Sequence, residues 1–223
     1  MGIFSFEKID SLFWLGRYAA RTQDLIRLYM ESFDRMIDSD EECYKTLCVK
    51  LGIPNHFADK NDFIRRFPFD KSLPFSIASS AAAAFSNAMT MREYIGSETL
   101  SYLQMVIYDL DEAGGHQKDP IFYLQHGIDY LLAFWGCLED AVDDEMTRDI
   151  VKLGKNFERL DIDLRLARPL PVLTKDFRRF ENRLGKCDVD KNEDALADLA
   201  RQMDADIPDC PLALSTLHEV VIL

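Results

Sequence analysis

Long stretches uninterrupted by proline constrain this chain more than any other feature of its sequence. The prolines fall in five short segments, LGIPNH, RFPFDKSLPF, EAGGHQKDP, ARPLPVL and DIPDCPL. Between them, apolar residues recur at helical spacing, and alternating strands bounded by hairpin turns are absent. The sequence therefore predicts an all-α fold, a single-domain multi-helix bundle of residues 1–223. Helices are expected at about 6–36, 77–94, 98–113, 119–140, 143–167, 173–184, 192–204 and 213–222, with shorter helical pieces within 40–70.

Two stretches of the chain are similar without a gap. LGRYAARTQDLIRL begins at Leu15, LGKNFERLDIDLRL begins at Leu153, and five of the fourteen aligned positions are identical at a constant offset of 138 residues. An internal repeat of this kind predicts two similar central helices, around 9–30 and 147–168, that face each other across a pseudo-symmetric core. A chance match between two helices rich in leucine and arginine is the alternative.

Each of these helices combines a broad apolar surface with a narrow charged stripe. The stripes consist of Arg17, Arg21 and Asp24 in the first helix, and of Lys155, Glu158 and Arg159 in the second. A buried guanidinium needs a compensating charge, because an unpaired charge in the interior costs several kcal/mol.

Three arrangements would satisfy these charges. In the first, they pair internally, Arg21 with Asp24 or with Glu158, and Arg159 with Asp163. In the second, the stripes converge on a cavity in which forked arginine donors hold an anionic small molecule or a carboxylate-bearing peptide. In the third, they form ordinary salt bridges that face solvent.

The composition of the chain argues against several classes of protein function. The 26 basic and 39 acidic residues give a net charge of −13, which argues against a nucleic-acid partner. The amino-terminal segment does not resemble a signal peptide, and no apolar run approaches the roughly 18 residues of a membrane span. Five widely spaced cysteines without a C-x-x-C pair indicate free thiols, and a cytoplasmic protein is expected.

No sequence motif indicates a cofactor or a metal. Neither a P-loop nor a G-x-G-x-x-G loop occurs, and the histidines lack the spacing of a zinc or di-iron site. Glu139, Asp143 and Asp144 are interpreted as a solvated acidic surface rather than a cation site. The apolar end of the chain, HEVVIL, is expected to pack on the body of the protein or on a second subunit of a homo-oligomer.

Three motifs carry a resemblance to a known family. LFWLGRY, NAMTMRE and LGKNFERLD resemble the Alpha-E family of bacterial all-helical proteins, named for a Glu-Arg motif, and the similarity spans roughly residues 9–167. The family's first motif falls on Trp14, Gly16, Arg17, Tyr18 and Arg21, with Ala20 in place of the expected glutamate. The central motif falls on Asn87, Arg92 and Glu93, and the last on Gly154, Glu158 and Arg159.

The resemblance implies a helical accessory or binding component of a peptide- or amino-acid-modifying system. Its implied partners are an ATP-grasp-type ligase or a transglutaminase-like protein. On this hypothesis a shared site binds an anionic ligand or a protein partner, and its expected residues are Arg17, Arg21, Asp24, Asn87, Arg92, Glu158 and Arg159. Two alternatives remain open, an enzyme that uses Glu158 as general acid or base, and a purely structural scaffold whose core charges are paired internally.

Overall fold

The computed structural model describes residues 6–116 and 120–223, which form ten helices. In chain order they are α1 (Phe6–Asp38), α2 (Cys43–Leu51), α3 (Lys60–Phe69), α4 (Ile77–Thr90), α5 (Arg92–His116), α6 (Pro120–Ala141), α7 (Glu145–Arg165), α8 (Leu170–Leu184), α9 (Glu193–Met203) and α10 (Cys210–Val220). The described residues contain no strand, and their β-type pairing is limited to an isolated bridge between Lys191 and Val221. The predicted all-α, multi-helix fold is confirmed.

Most helix boundaries lie close to the predicted ones, and the differences have local causes. Gly96 lies within α5 at φ +78° and ψ 157°, so the helix is broken directly before the predicted segment 98–113. Helices α8 and α10 each begin three residues earlier than predicted, at Leu170 and Cys210. Each has a proline in its first turn, where the missing N–H removes no intrahelical hydrogen bond.

The two similar segments lie on α1 and α7, which have the most extensive contact of any pair of helices. A Cβ placed on Gly16 would lie 1.9 Å from the carbonyl oxygen of Val151, and one placed on Gly154 would lie 2.0 Å from that of Phe13. Val151 and Phe13 are themselves related by the 138-residue offset. The two helices therefore cross backbone to backbone, with the two glycines in equivalent positions on either side, as the predicted pseudo-symmetric core requires.

Helix α1 is covered on its other side by the small residues of α4. Ala81, Ala84 and Ala88 recur at helical spacing and are buried, which allows α4 to pack closely against α1. This is the close packing expected of an alanine-rich helix that contacts another helix.

The end of the chain packs on the body of the protein. Leu217 and Val220 of α10 are buried, and α10 contacts both α7 and α9. Beyond the helix, the N–H of Ile222 donates to the carbonyl of Asp190 at 3.0 Å. Of the two arrangements expected for the apolar tail, the intramolecular one is observed, and it brings α10 alongside the charged residues of α7.

The five cysteines are free thiols, as predicted. Burial raises the pKa of Cys48 to about 11 and that of Cys187 to about 12. A lipid bilayer could not be crossed by any helix in residues 6–116 or 120–223, since none is both long and apolar enough.

Candidate functional site

Glu158 lies at the centre of the interface between α1 and α7. The side chain is 1% exposed, and both of its carboxylate oxygens accept hydrogen bonds from α1. Arg17 donates from Nε to Oε2 at 2.8 Å, and Arg21 donates from Nε to Oε1 at 2.5 Å and from Nη2 to Oε2 at 3.0 Å. Arg21 therefore pairs with Glu158, the second of the two partners predicted for it, and not with Asp24.

Aromatic rings enclose the guanidinium of Arg17. Its central carbon lies 4.5 Å from the centroid of Trp14 and 4.3 Å from that of Phe157. A guanidinium is more weakly hydrated than an ammonium and is attracted to the faces of aromatic rings, so this environment is one that arginine tolerates. With 5% of its surface exposed, Arg17 depends on the carboxylate of Glu158 for charge compensation.

A second buried carboxylate lies one turn further along α7. Asp161 accepts from Arg165 Nε at 2.6 Å and lies 2.5 Å from His218 Nε2, while Arg17 Nη2 is 3.9 Å away. Burial alone would raise the pKa of Asp161, but the hydrogen bonds from His218 and Arg165 outweigh it and lower the pKa to about 2. Asp161 is therefore ionised at neutral pH, and it fixes the position of Arg165.

The two arginine–carboxylate pairs share a cavity of about 260 Å³. Its polar lining is made of Arg21, Glu158, Asp161 and Arg165, and the remainder is Leu25, Leu51, Gly52, Ile53, Pro74, Phe75 and Ile162. Arg21 and Arg165 each have 29% of their side chains exposed, whereas the two carboxylates are almost completely buried. The arginines thus lie between the buried carboxylates and the open part of the cavity.

The guanidinium groups retain unused donors. Arg165 also donates from Nη1 to the carbonyl of Leu51, at 3.3 Å, which leaves Nη2 without a hydrogen bond to any described residue. Arg21 likewise donates no hydrogen bond from Nη1 to the described part of the chain. Burial alone lowers the pKa of Arg21, but the adjacent Glu158 raises it above its ordinary value, so the group remains charged. These donors suit a carboxylate or another planar anion.

The structure does not bring all seven expected ligand-binding residues together. Arg17, Arg21 and Glu158 form the cluster described above. Asn87 donates to the carbonyl of Ala83 on its own helix, at 3.1 Å, and Arg92 is exposed and donates to Ser97 Oγ at 3.0 Å. Neither of these two lines the cavity. The family's central motif therefore lies outside the candidate site.

Asp24 and Arg159 lie in a neighbouring cavity. Asp24 pairs with Arg27 at 3.6 Å, and burial raises its pKa despite the positive charges of Arg159 and Arg27. The predicted pair between Arg159 and Asp163 is not formed, because Asp163 is directed instead toward Asp176 of α8 and Arg168. Adjacent residues on a helix lie about 100° apart, so Glu158 contacts Arg17 and Arg21, whereas Arg159 lines the neighbouring cavity that α1 borders through Asp24.

Sequence reasoning missed Asp161, Arg165 and His218. Asp161 follows Glu158 by three residues and Arg165 follows Asp161 by four, the spacing that places side chains on one helical face, so a signal was present. His218 had no local signal, because it reaches Asp161 only through the docking of α10 on α7.

Acidic residues near position 140 have structural roles. Glu139 forms an ion pair with Lys152, and Asp144 caps α7 by accepting from the N–H of Thr147 at 3.0 Å. Throughout residues 6–116 and 120–223, no group of three or more His, Cys, Asp or Glu side chains is arranged to hold a metal ion.

Ala20, which replaces the glutamate expected from the family pattern, is buried at 1% exposure. The sequence contains one Glu-Arg pair, Glu158-Arg159, and its glutamate binds the two arginines of α1. A single glutamate thus serves both Arg17 and Arg21.

Comparisons with known proteins agree with the motifs and the fold. A family model, Alpha-E, described as a predicted alpha-helical domain with a conserved ER motif, matches residues 8–188. Searches among curated proteins and among solved structures found no match. The matched region covers most of the chain and includes both central helices and the Glu158-Arg159 pair, and the chain belongs to the Alpha-E family.

Proposed function

We propose that this chain is a binding component that holds a carboxylate-bearing ligand in the cavity between Arg21 and Arg165. The observation that carries the proposal is the charge balance of the site. Arg17, Arg21 and Arg165 supply three fixed positive charges, Glu158 and Asp161 supply two negative ones, and the ring of His218 also lies against Asp161. One further anion, placed between the two partly exposed guanidinium groups, would complete the balance.

The geometry favours binding because the donors are already held in place. Glu158 engages two N–H groups of Arg21, and Asp161 together with the carbonyl of Leu51 engages two of Arg165. A ligand would therefore not need to order either side chain, which lowers the entropic cost of association. The apolar lining, chiefly Leu25, Ile53 and Phe75, suits a ligand with a hydrophobic group next to its carboxylate.

The site supports binding better than catalysis by Glu158. Both oxygens of Glu158 already accept hydrogen bonds from charged donors. A general acid or base must reach the proton that it transfers, and Glu158 could do so only after losing one of these bonds. The structural role proposed as the other alternative fits Arg17, which is enclosed and paired, but it leaves the open donors of Arg21 and Arg165 unused.

We also propose that the chain acts together with a partner enzyme. Family resemblance suggests an ATP-grasp-type ligase or a transglutaminase-like protein as partner, and a carboxylate is a group on which a ligase acts. In this arrangement the chain would present or retain an amino acid or peptide while the partner performs the chemistry.

The ligand proposal can be tested with small carboxylates and their neutral amides. The probes are N-acetyl-phenylalanine, N-acetyl-leucine and the corresponding primary amides, each titrated into the protein by calorimetry. We expect the acids to bind and the amides to bind at least tenfold more weakly, since the amides lack the charge that the two arginines recognise. Equal affinity for acid and amide would refute the proposal.

Substitution of the two arginines tests whether the acids bind in the proposed cavity. Arg21→Ala and Arg165→Ala should abolish binding of the acids while circular dichroism shows a folded protein, because Arg17 still compensates Glu158 and His218 still contacts Asp161. The matched control is Arg201→Ala, which removes an exposed arginine of α9 that pairs with Asp198 and should leave binding unchanged. A pull-down of the tagged wild-type protein and of Arg21→Ala from the native cytosol would test the ligase or transglutaminase-like partner separately.

A further inference from the structure

A second cavity, of about 360 Å³, lies between α7 and α8 and has an unusual lining. Its residues are Lys152, Lys155, Asn156 and Arg159 of α7, Arg179, Asn182 and Arg183 of α8, and Lys186 just beyond α8. Six of these eight side chains are cationic, two are amides, and none is a carboxylate. We call this cavity the basic pocket.

The two helices contribute to the basic pocket with the same pattern. Counting from Lys152 on α7 and from Arg179 on α8, the lining residues fall at i, i+3, i+4 and i+7. This spacing places four side chains on one helical face. The Nδ2 of Asn156 donates to the carbonyl of Arg179 at 3.1 Å, which fixes one stripe against the other. The basic pocket is therefore built by the packing of α7 on α8 and is not a scatter of surface lysines.

Half of the positive charge has no local partner. Lys152 pairs with Glu139, Arg179 with Asp176, and Arg183 with Asp149. Lys155, Arg159 and Lys186 have no carboxylate within 4.0 Å in the part of the chain that the structure describes. Three basic side chains without an ion-pair partner thus face one cavity of a chain whose net charge is −13.

Carboxylates on the far side of this cluster act only at longer range. An adjoining cavity is bordered by Arg159 and Arg179 as well, and its charged lining also includes Asp24, Arg27, Glu31, Asp163, Arg168 and Asp176. Asp24 interacts electrostatically with Arg159 and Lys155 without forming an ion pair with either. No carboxylate of the described residues lines the basic pocket itself.

Lys155 is the residue most affected by this crowding. Its ammonium lies 3.8 Å from the centroid of Trp135, and burial, followed by repulsion from Arg159, lowers its pKa to about 7. A protonated Lys155 that is buried next to Arg159 is unfavourable unless an anion shares the site.

We infer that the basic pocket binds a small molecule that carries two or more linked phosphate groups. Guanidinium forks, ammonium groups and amide N–H donors are the groups that recognise phosphate oxygens. Arg159 and Lys186 are unpaired cations, and a bound anion would favour the protonated form of Lys155, so the three together would match the charge of a diphosphate or triphosphate. A nucleic acid is disfavoured, because the acidic remainder of the surface would repel a long polyanion. The inference does not depend on the cavity between Arg21 and Arg165, which shares no lining residue with this one.

Calorimetric titration at low ionic strength tests the inference, with inorganic monophosphate, pyrophosphate and triphosphate as probes. Affinity should rise with each added phosphate, with one molecule bound per chain, and should fall as salt is added. ATP is titrated in parallel, because equal affinity for ATP and inorganic triphosphate identifies the phosphate chain as the recognised group, whereas tighter binding of ATP assigns the site to a nucleotide.

Two mild variants locate the binding. Asn182→Asp introduces a negative charge into the basic pocket with almost no change of shape, and Lys186→Ala removes an exposed, unpaired cation, so neither should disturb the fold. Each should weaken triphosphate binding by roughly tenfold. The matched controls, Asn61→Asp on α3 and Lys50→Ala on α2, make the same charge changes at exposed positions outside the cavity and should leave the affinity unchanged.

Phosphate binding at the basic pocket and carboxylate binding between Arg21 and Arg165 can be refuted independently. Absence of triphosphate binding at low salt, binding unaffected by Asn182→Asp, or equal weakening by Asn61→Asp would overturn it. Preference for duplex DNA over triphosphate would also overturn it. Arg21→Ala, the variant that tests the carboxylate site, should bind triphosphate normally.

Discussion

Replacing Glu158 with glutamine tests how the centre of the molecule is held together. The substitution keeps the size and shape of the side chain but removes the charge that compensates Arg17 and Arg21. It also turns one acceptor oxygen into an NH₂ donor, which would face a guanidinium. Of the three hydrogen bonds that Glu158 accepts, only those to one oxygen can persist.

The expected cost follows from the burial of Arg17. This arginine is 5% exposed, lies between two aromatic rings, and has Asp161 at 3.9 Å as its other carboxylate contact. Removing one partner of a buried ion pair leaves an uncompensated charge and costs about 3–5 kcal/mol in the free energy of unfolding. Arg21→Ala should cost less, about 1–2 kcal/mol, because Arg21 is partly exposed and Glu158 retains its bond to Arg17.

Urea denaturation followed by circular dichroism measures this difference. We expect a lower midpoint for Glu158→Gln with an unchanged dependence on urea, which would indicate loss of stability without loss of the fold. Glu181→Gln, an exposed position on α8, is the control and should shift the free energy of unfolding by less than about 0.5 kcal/mol. If Glu158→Gln were destabilised by less than about 1 kcal/mol, the argument that Arg17 depends on this carboxylate would be refuted.

Two further predictions concern helix packing and pH. Gly154→Ala should destabilise the protein by at least about 2 kcal/mol, because the new Cβ would meet the carbonyl of Phe13. Gly136→Ala is the control and should be neutral or stabilising, because a Cβ there meets nothing within 4 Å. Comparable melting temperatures for the two variants would contradict the packing argument. Burial and the neighbouring Asp176 raise the pKa of Asp163 to about 7, so the folded protein binds a proton that the unfolded chain has lost, and this group makes stability fall as pH rises from about 4 to 7. Asp163→Asn should therefore raise the melting temperature at pH 8 more than at pH 5, and an equal shift at both would show that Asp163 does not titrate in this range.

The central helices were predictable because their signals are local. The repeat at an offset of 138 residues, in which Gly16 aligns with Gly154, predicted two central helices in mutual contact, and these are α1 and α7. The need to compensate buried charge predicted either Asp24 or Glu158 as the partner of Arg21, and the structure has Glu158. These inferences required only helical periodicity and the cost of an unpaired charge in the interior.

The parts that were missed depend on how separate helices dock. The contact of His218 with Asp161 exists only because α10 packs on α7, and no spacing rule connects residues that are far apart in the sequence. The expectation that Asn87 and Arg92 would join the cluster came from shared membership in family motifs, which does not establish proximity. The basic residues of α8 were not singled out from the sequence, because they form a cavity only where α8 packs against the charged stripe of α7.

The two residues of the Glu-Arg pair have different neighbours in this chain. Glu158 binds Arg17 and Arg21 of α1, while Arg159 borders the basic pocket and the adjoining cavity and forms no ion pair with a carboxylate of the described residues. Arg159→Ala should therefore change the free energy of unfolding by less than about 0.5 kcal/mol, and it should raise the pKa of Lys155 by removing a repelling charge.

A double-mutant cycle decides whether the two residues are coupled. Since Glu158 and Arg159 share no hydrogen-bonding partner, the effects of Glu158→Gln and Arg159→Ala on stability should add to within about 0.5 kcal/mol. A coupling energy above about 1 kcal/mol would show that the motif functions as a pair, with a shared partner that the separate environments do not explain. Additive effects would mean that the two residues act separately. Adjacent positions on α7 would then place Glu158 in the buried ion-pair network and Arg159 at the basic pocket, because neighbouring side chains of a helix point in different directions.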